Sequence, residues 1–314
     1  MAIIIHGGAD ENVDQTDPVA PNHVDAKLAA LREIIRDAWA ALYSGKPALD
    51  VVERTVVALE DNPAFNAGYG AAIGAEGVEL DAGIMDGRTG KFGAVTGITV
   101  VKNPIIVARE ILETPYNLYQ GIGANALAQE VARRRGLKCI SARALETAYQ
   151  RAKWERWKTR RNENPVKSSD GTIGVVAFDG TAIAAGTSTG GMTGKPKGRV
   201  GDTPLLGAGT FASPDAGASA TGEGEKIMQL GLTRYSVESL QHHRFSPQEA
   251  AESALAALEA INGRGGIIIV DNTGRVGACT NGRLMTCAFM TAWMSAPKVE
   301  AKEAVKGRST ADQE

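Results

Sequence analysis

The sequence predicts an α+β chain built of two stacked, mainly antiparallel sheets flanked by helices. Two hairpins stand out: Ile173–Phe178 with Ala182–Thr187 around Asp179-Gly180-Thr181, and Ile267–Val270 with Val276–Cys279 around Asp271-Asn272-Thr273-Gly274. Several other stretches carry apolar residues at helical spacing. Antiparallel strands plus amphipathic helices favour stacked sheets covered by helices over a doubly wound parallel sheet. At 314 residues, with 43% apolar and 22% charged residues, the chain can bury a substantial core.

In chain order, the β-branched run Ile3–Ile5 reads as a strand stopped by Gly7-Gly8. Leu28, Leu31, Ile34, Ile35, Ala38 and Leu42 line one face of a helix over 24–43 that ends at Ser44-Gly45. A second helix is expected over 48–59, a loop over 62–70, and a strand over 78–85 turning at Asp86-Gly87 to pair with 94–101. Helices follow at 104–112, 122–135 and 142–156. The polar stretch 159–171 reads as a flexible linker, residues 226–230 as helix, and the charged segment 298–314 as a frayed tail. All of this is taken as one domain.

The charge pattern excludes several functions. A net charge of −2 gives no general attraction to nucleic acid or anionic lipid. The basic runs at 133–135 and 158–161 sit at helix ends, where cations suit the helix dipole. The N-terminus lacks a signal-peptide pattern and no stretch could span a bilayer. Cys139, Cys279 and Cys287 are odd in number and widely spaced, which argues against disulfides or zinc and for a reducing cytoplasm. His6, His23, His242 and His243 show no metal spacing, and GYGAAIG at 68–74 follows a loop rather than a strand, so it is no dinucleotide fingerprint.

The chemistry concentrates after the linker. Gly171-Thr172 joins a polar arm to an apolar strand. A mid-chain threonine hydroxyl is a poor nucleophile, because nothing takes its proton. Cutting the bond before Thr172 would place an α-amine, with a pKa of about 7.7–8, beside that hydroxyl as its own base. Taken alone, Thr172 reads as an ordinary β-branched strand residue, and the residues downstream change that reading. Thr189, at the end of the partner strand, brings a hydroxyl beside it. Arg199 and Asp202, in a glycine-flanked loop, suit the carboxylate and ammonium of an amino acid, or form a surface salt bridge. Thr221 and Gly222 precede a helix, as oxyanion donors or as a plain N-cap.

The ordered motifs AIIIHGGA, LEDNPAFNAGYGA, ELDAGIMDG, DGTIGVVAFD, GTSTGGMTGKPKGRVGDTPLLGAG and ATGEGE cover residues 2–282 in combination. They resemble the plant-type asparaginase and isoaspartyl peptidase family of N-terminal nucleophile (Ntn) hydrolases. That resemblance implies an αββα sandwich, autocleaved into residues 1–171 and 172–314 and assembled as a dimer of cleaved heterodimers. Thr172 would be the nucleophile and Thr189 its helper, with Asn66 nearby. Arg199 and Asp202 would bind the aspartyl carboxylate and amine, and Thr221 and Gly222 would form the oxyanion hole. The implied activity is release of L-aspartate from β-aspartyl dipeptides and L-asparagine through a covalent β-aspartyl intermediate, with no catalytic cofactor. A structural sodium ion is implied on carbonyls of the loop holding Leu59, Glu60, Asn62, Phe65, Ala67 and Tyr69.

Two alternatives stay open: a glycosylasparaginase, and a non-cleaving homologue that only binds. Glycosylasparaginases share the GTST and GRVGD segments but typically carry asparagine at the position of Gly190. Glu223, between Gly222 and Gly224, departs from the family pattern, and its charge would repel an acidic substrate or select a cationic leaving group.

Overall fold

The computed structural model describes residues 1–10, 23–160 and 171–304. Its strands are β1 (Ala2–Asp10), β2 (Leu80–Asp86), β3 (Lys91–Ile98), β4 (Leu118–Gln120), β5 (Ile173–Phe178), β6 (Ile183–Thr189), β7 (Thr210–Ala212), β8 (Ala216–Gly222), β9 (Gly265–Asp271), β10 (Val276–Thr280), β11 (Leu284–Thr291) and β12 (Lys298–Glu303). Its helices are α1 (Val24–Tyr43), α2 (Ala48–Glu60), α3 (Pro104–Ile111), α4 (Gly121–Arg135), α5 (Ala148–Arg160), α6 (Gly224–Leu230), α7 (Leu232–His243) and α8 (Pro247–Ala260).

The strands form an eight-stranded sheet, ordered β12-β11-β1-β5-β6-β2-β3-β4, and a four-stranded sheet, ordered β10-β9-β8-β7. Among the strands of the described residues, only β3 and β4 pair in parallel. Period-two alternation sorts β1 between layers: Ile3 and Ile5 face the core under α1 to α4, while Ala2 and Ile4 join Val176, Ile268 and Val270 between the sheets. The outer face of the smaller sheet, with Ile267 and Ile269, packs on α7 and α8. The layers are therefore helix, sheet, sheet, helix, as the sequence predicts. Among the described residues no helix is long and apolar enough to cross a membrane.

Several boundaries differ from expectation. β1 does not stop at Gly7-Gly8 but continues to Asp10 through a register shift between His6 and Ala9. Gly8, at φ +103°, absorbs the irregularity without the penalty a side chain would bring. The helix expected over 142–156 is a 3₁₀ turn at Ala142–Leu145 followed by α5, whose first turn is capped by Thr147 Oγ1 accepting from Gln150 N. Thr159 and Arg160, expected in the linker, close α5, and residues 161–170 lie outside the described residues.

The segment 298–303, expected in a frayed tail, is the edge strand β12, paired with β11 from Leu284↔Glu303 to Phe289↔Lys298. Its charges made it look like a tail. Lys298 and Lys302 instead pair with Glu300 along the edge while Val299 packs on the core, the usual defence of an exposed strand. Residues 305–314 lie outside the described residues.

Candidate active site

The site lies where β5, β6 and β2 of the larger sheet meet β8 of the smaller. Thr172 opens β5 with 7% of its surface exposed. Its Oγ1 donates to Thr189 Oγ1 at 3.3 Å, and Thr189 Oγ1 also accepts from Gly191 N at 3.0 Å. Hairpin register brings the two hydroxyls together, since Ile173 faces Ser188 and Thr172 therefore lies beside Thr189.

Asn66 spans the same point from the α2–β2 connection. Its Nδ2 donates to Gly171 O at 2.9 Å and to Gly191 O at 2.7 Å, while its Oδ1 accepts from Ala72 N at 2.7 Å. The carbonyl before Thr172 is thus already polarised by a donor. Gly8 packs against this peptide: a Cβ there would fall 2.8 Å from Gly171 Cα and 3.0 Å from Thr172 N.

The next residue, Ala9, donates its N–H to Thr221 Oγ1 at 3.1 Å. Thr221 is fully buried, and that bond leaves its own proton free to donate elsewhere. Gly222 follows at φ +141°, backed by the main chain of Arg264 and Gly265, where only glycine fits.

Arg199 and Asp202 meet at the start of α6. A Cβ on Gly224 would lie 2.8 Å from Asp202 Oδ1 and 3.0 Å from Arg199 Nη2. Arg199 does not pair with Asp202, the bland reading of this loop; its Nε and Nη2 donate to the two oxygens of Glu225, both at 2.9 Å. Burial raises the Glu225 carboxyl, but Arg199 outweighs that and holds it below its ordinary range. Asp202 is buried with Oδ2 lacking a hydrogen-bond partner. Burial pushes it up to about 7, against its own backbone N–H and Arg199, with Glu225 and Asp81 adding to the rise.

A buried ion pair lies behind Thr189, and the motifs alone do not reveal it. Asp81 sits directly opposite Thr189 on β2, accepts from Thr96 Oγ1 and Gly97 N, and faces Lys195 Nζ at 3.6 Å. Both side chains are almost fully buried. Lys195 also donates to Glu79 O at 3.0 Å, and its stem fills the space beside Gly191. Glu225 and Lys195 were legible only as members of the quoted motifs, without a role.

The loop expected to hold sodium turns its carbonyls inward. Glu60 O crowds Gly68, and Phe65 O and Pro63 O crowd Gly70, so neither glycine can carry a side chain. Leu59 O, Asn62 O, Phe65 O and Ala67 O each accept backbone N–H groups, leaving lone pairs to spare. The side chain of Glu60 accepts from Ser188 Oγ at 2.7 Å and keeps Oε2 without a hydrogen-bond partner; burial pushes this carboxyl up to about 8. Neutral oxygen donors of this kind suit a hard, weakly charged cation. Among the described residues no group of three His, Cys, Asp or Glu side chains could hold a metal.

Residues 1–297 match the profile of a family described as Asparaginase. A protein of Pyrococcus furiosus named plant-type L-asparaginase is 40% identical over 95% of this chain and 99% of its own length. One of Thermococcus kodakarensis with the same name is 39% identical over 95% and 98%. The Danio rerio protein named isoaspartyl peptidase/L-asparaginase is 36% identical over 87% and 86%.

Proposed function

The chain belongs to the asparaginase family that includes plant-type L-asparaginases and isoaspartyl peptidases, and from that premise we propose that it is a self-cleaving hydrolase releasing L-aspartate from β-aspartyl dipeptides and L-asparagine. Asparaginase-type amide hydrolysis follows from the family. The threonine mechanism rests on one observation: Thr172 Oγ1 lies against Thr189 Oγ1 while Asn66 Nδ2 holds the carbonyl that precedes it.

Maturation begins when Thr172 Oγ1 attacks Gly171 C. Asn66 Nδ2 stabilises the charge growing on that carbonyl oxygen. The C–N bond breaks, an ester forms on Thr172 Oγ1, and water hydrolyses it to a Gly171 carboxylate and a free Thr172 amine. That amine is substantially neutral near pH 8 and takes the hydroxyl proton in each later turnover.

In hydrolysis, Asp202 meets the substrate α-ammonium and Arg199 its α-carboxylate. The unpartnered Oδ2 of Asp202 supports the first assignment. The fork that Arg199 presents to Glu225 is the one a substrate carboxylate uses, so substrate competes with Glu225 for it. Thr172 Oγ1 attacks the side-chain carbonyl, and Thr221 Oγ1–H and Gly222 N–H receive the oxyanion. The leaving amine departs with the proton held by the Thr172 amine, and water opens the β-aspartyl ester. Sodium on the carbonyls of Leu59, Glu60, Asn62, Phe65, Ala67 and Tyr69 would brace the loop that carries Asn66. This reading takes the working enzyme to be cytoplasmic and a dimer of cleaved heterodimers.

Thr172→Ala is expected to abolish both chain cleavage and aspartate release, assayed with a panel of β-aspartyl dipeptides, L-asparagine and N-acetylglucosaminyl-asparagine. A variant that still releases aspartate removes the mechanism. Fastest turnover of the glycosylated substrate would reassign the activity.

A further inference from the structure

Beneath the reacting groups lies a second, fully buried polar row that the mechanism above does not use. Residues two apart on a strand share a face. Gly174 therefore stands below Thr172, Thr187 below Thr189, Gly83 below Asp81, and Ser219 below Thr221. In the larger sheet this lower row runs His6, Gly174, Thr187, Gly83 across four adjacent strands. The two glycines leave gaps on either side of Thr187, and polar atoms from facing segments fill them. Ser219 Oγ occupies the space a Cβ at 174 would take, and Thr203 O lies 2.9 Å from where a Cβ at 83 would be.

The atoms join into a chain. His6 Nε2 lies 2.9 Å from Ser219 Oγ, and Ser219 Oγ lies 2.7 Å from Thr187 Oγ1. Thr210 Oγ1 donates to Thr187 Oγ1 at 2.7 Å and reaches Thr203 O at 3.2 Å, next to Asp202. His6, Thr187, Thr210 and Ser219 are all 0% exposed. Burial pushes the His6 imidazole down to about 3, against a hydrogen bond with the Thr172 backbone, so the ring stays neutral and acts as a hydrogen-bond partner rather than a charge.

We infer that His6, Ser219, Thr187 and Thr210 form a positioning network for the reaction proposed above, fixing the nucleophile strand against the oxyanion strand and the Asp202 loop. The inference rests on that functional reading. Four strands of two sheets meet in this network: Thr187 and Ser219 lie one strand period from Thr189 and Thr221, His6 bonds Ser219, and Thr210 bonds the carbonyl of Thr203, the residue after Asp202. Each hydroxyl of the chain has a partner, and deleting one strands its neighbours in a buried interior. A loss of register here misaligns Thr172, Thr221 and Asp202 relative to one another, which lowers turnover more than ground-state binding.

Thr187→Val keeps the branched shape and removes the hydroxyl, whereas Thr187→Ser keeps the hydroxyl and removes a methyl. The two variants are compared with wild type for kcat and KM on a β-aspartyl dipeptide. The expected result is a kcat about tenfold lower or worse in the valine variant, with KM within about twofold, and recovery in the serine variant. Thr210→Val is expected to act similarly, and the Thr187→Val/Thr210→Val double variant to be little worse than either single one. If Thr187→Val fails to fold, Thr210→Val against Thr210→Ser gives the same comparison. Wild-type kcat in the valine variants, serine variants as impaired as the valine ones, or fully additive losses would each overturn the network. Wild-type protein inactive on every aspartyl substrate would instead sink the functional reading, and the network with it.

Discussion

Asp202 carries a cost that fits the substrate-binding role proposed for it. Its native pKa of about 7 lies above the unfolded value of 3.8. As pH rises from about 4 to 7 the unfolded chain releases this proton while the folded chain keeps it, so stability falls across that window and stays lower above it. The penalty at pH 8 is on the order of 4 kcal/mol. Asp202→Asn should therefore melt higher than wild type at pH 8 and like it near pH 4, while kcat/KM drops by about a hundredfold or more through loss of the ammonium's counter-ion. Equal melting midpoints at both pH values would show that Asp202 is not held protonated. A stable, weakly active variant is the expected signature of a residue kept for substrate at the expense of the fold.

Among the elements, β12 is a strand that the sequence reads as a frayed tail. Removing residues 298–314 takes away one of the two strands paired with β11 and uncovers core beside Val299, at a cost of about 2 kcal/mol. Thermal unfolding should then begin about 5 °C lower than in the full chain. A midpoint equal to that of the full chain would mean that β12 adds nothing.

The misreading has a physical source: Lys298, Glu300 and Lys302 are outward-facing edge charges, and alternation over so few residues cannot be told from a polar tail. The hairpins and the helices near 24–43, 48–59, 104–112 and 122–135 were legible because their signals are local, whereas α7, α8, β8 and β11 were not singled out. Thr172, Thr189, Arg199, Asp202 and Thr221 were legible because they sit in short, ordered motifs. His6 with Ser219, Lys195 with Asp81 and Arg199 with Glu225 were not, because their pairing depends on sheet register and loop packing between segments far apart in the chain.

At the scale of the molecule, the proposed cut falls inside a woven sheet. β1, from the N-terminal part, lies between β5 and β11 of the C-terminal part, and β2 pairs with β6 across the same divide. Neither product could leave without exposing Ile3, Ile4 and Ile5 and opening both sheet faces. The two chains should therefore elute together under native conditions and separate only in denaturant; separate native peaks would contradict this topology.

The same cut makes Thr172 a terminal residue, and on that the whole mechanism depends. Intact-mass spectrometry with N-terminal sequencing of fully active enzyme tests it directly. The expected result is two chains, residues 1–171 and 172–314, the second beginning with a free Thr172 amine. Full activity in a chain whose Gly171–Thr172 peptide bond is unbroken would contradict the account.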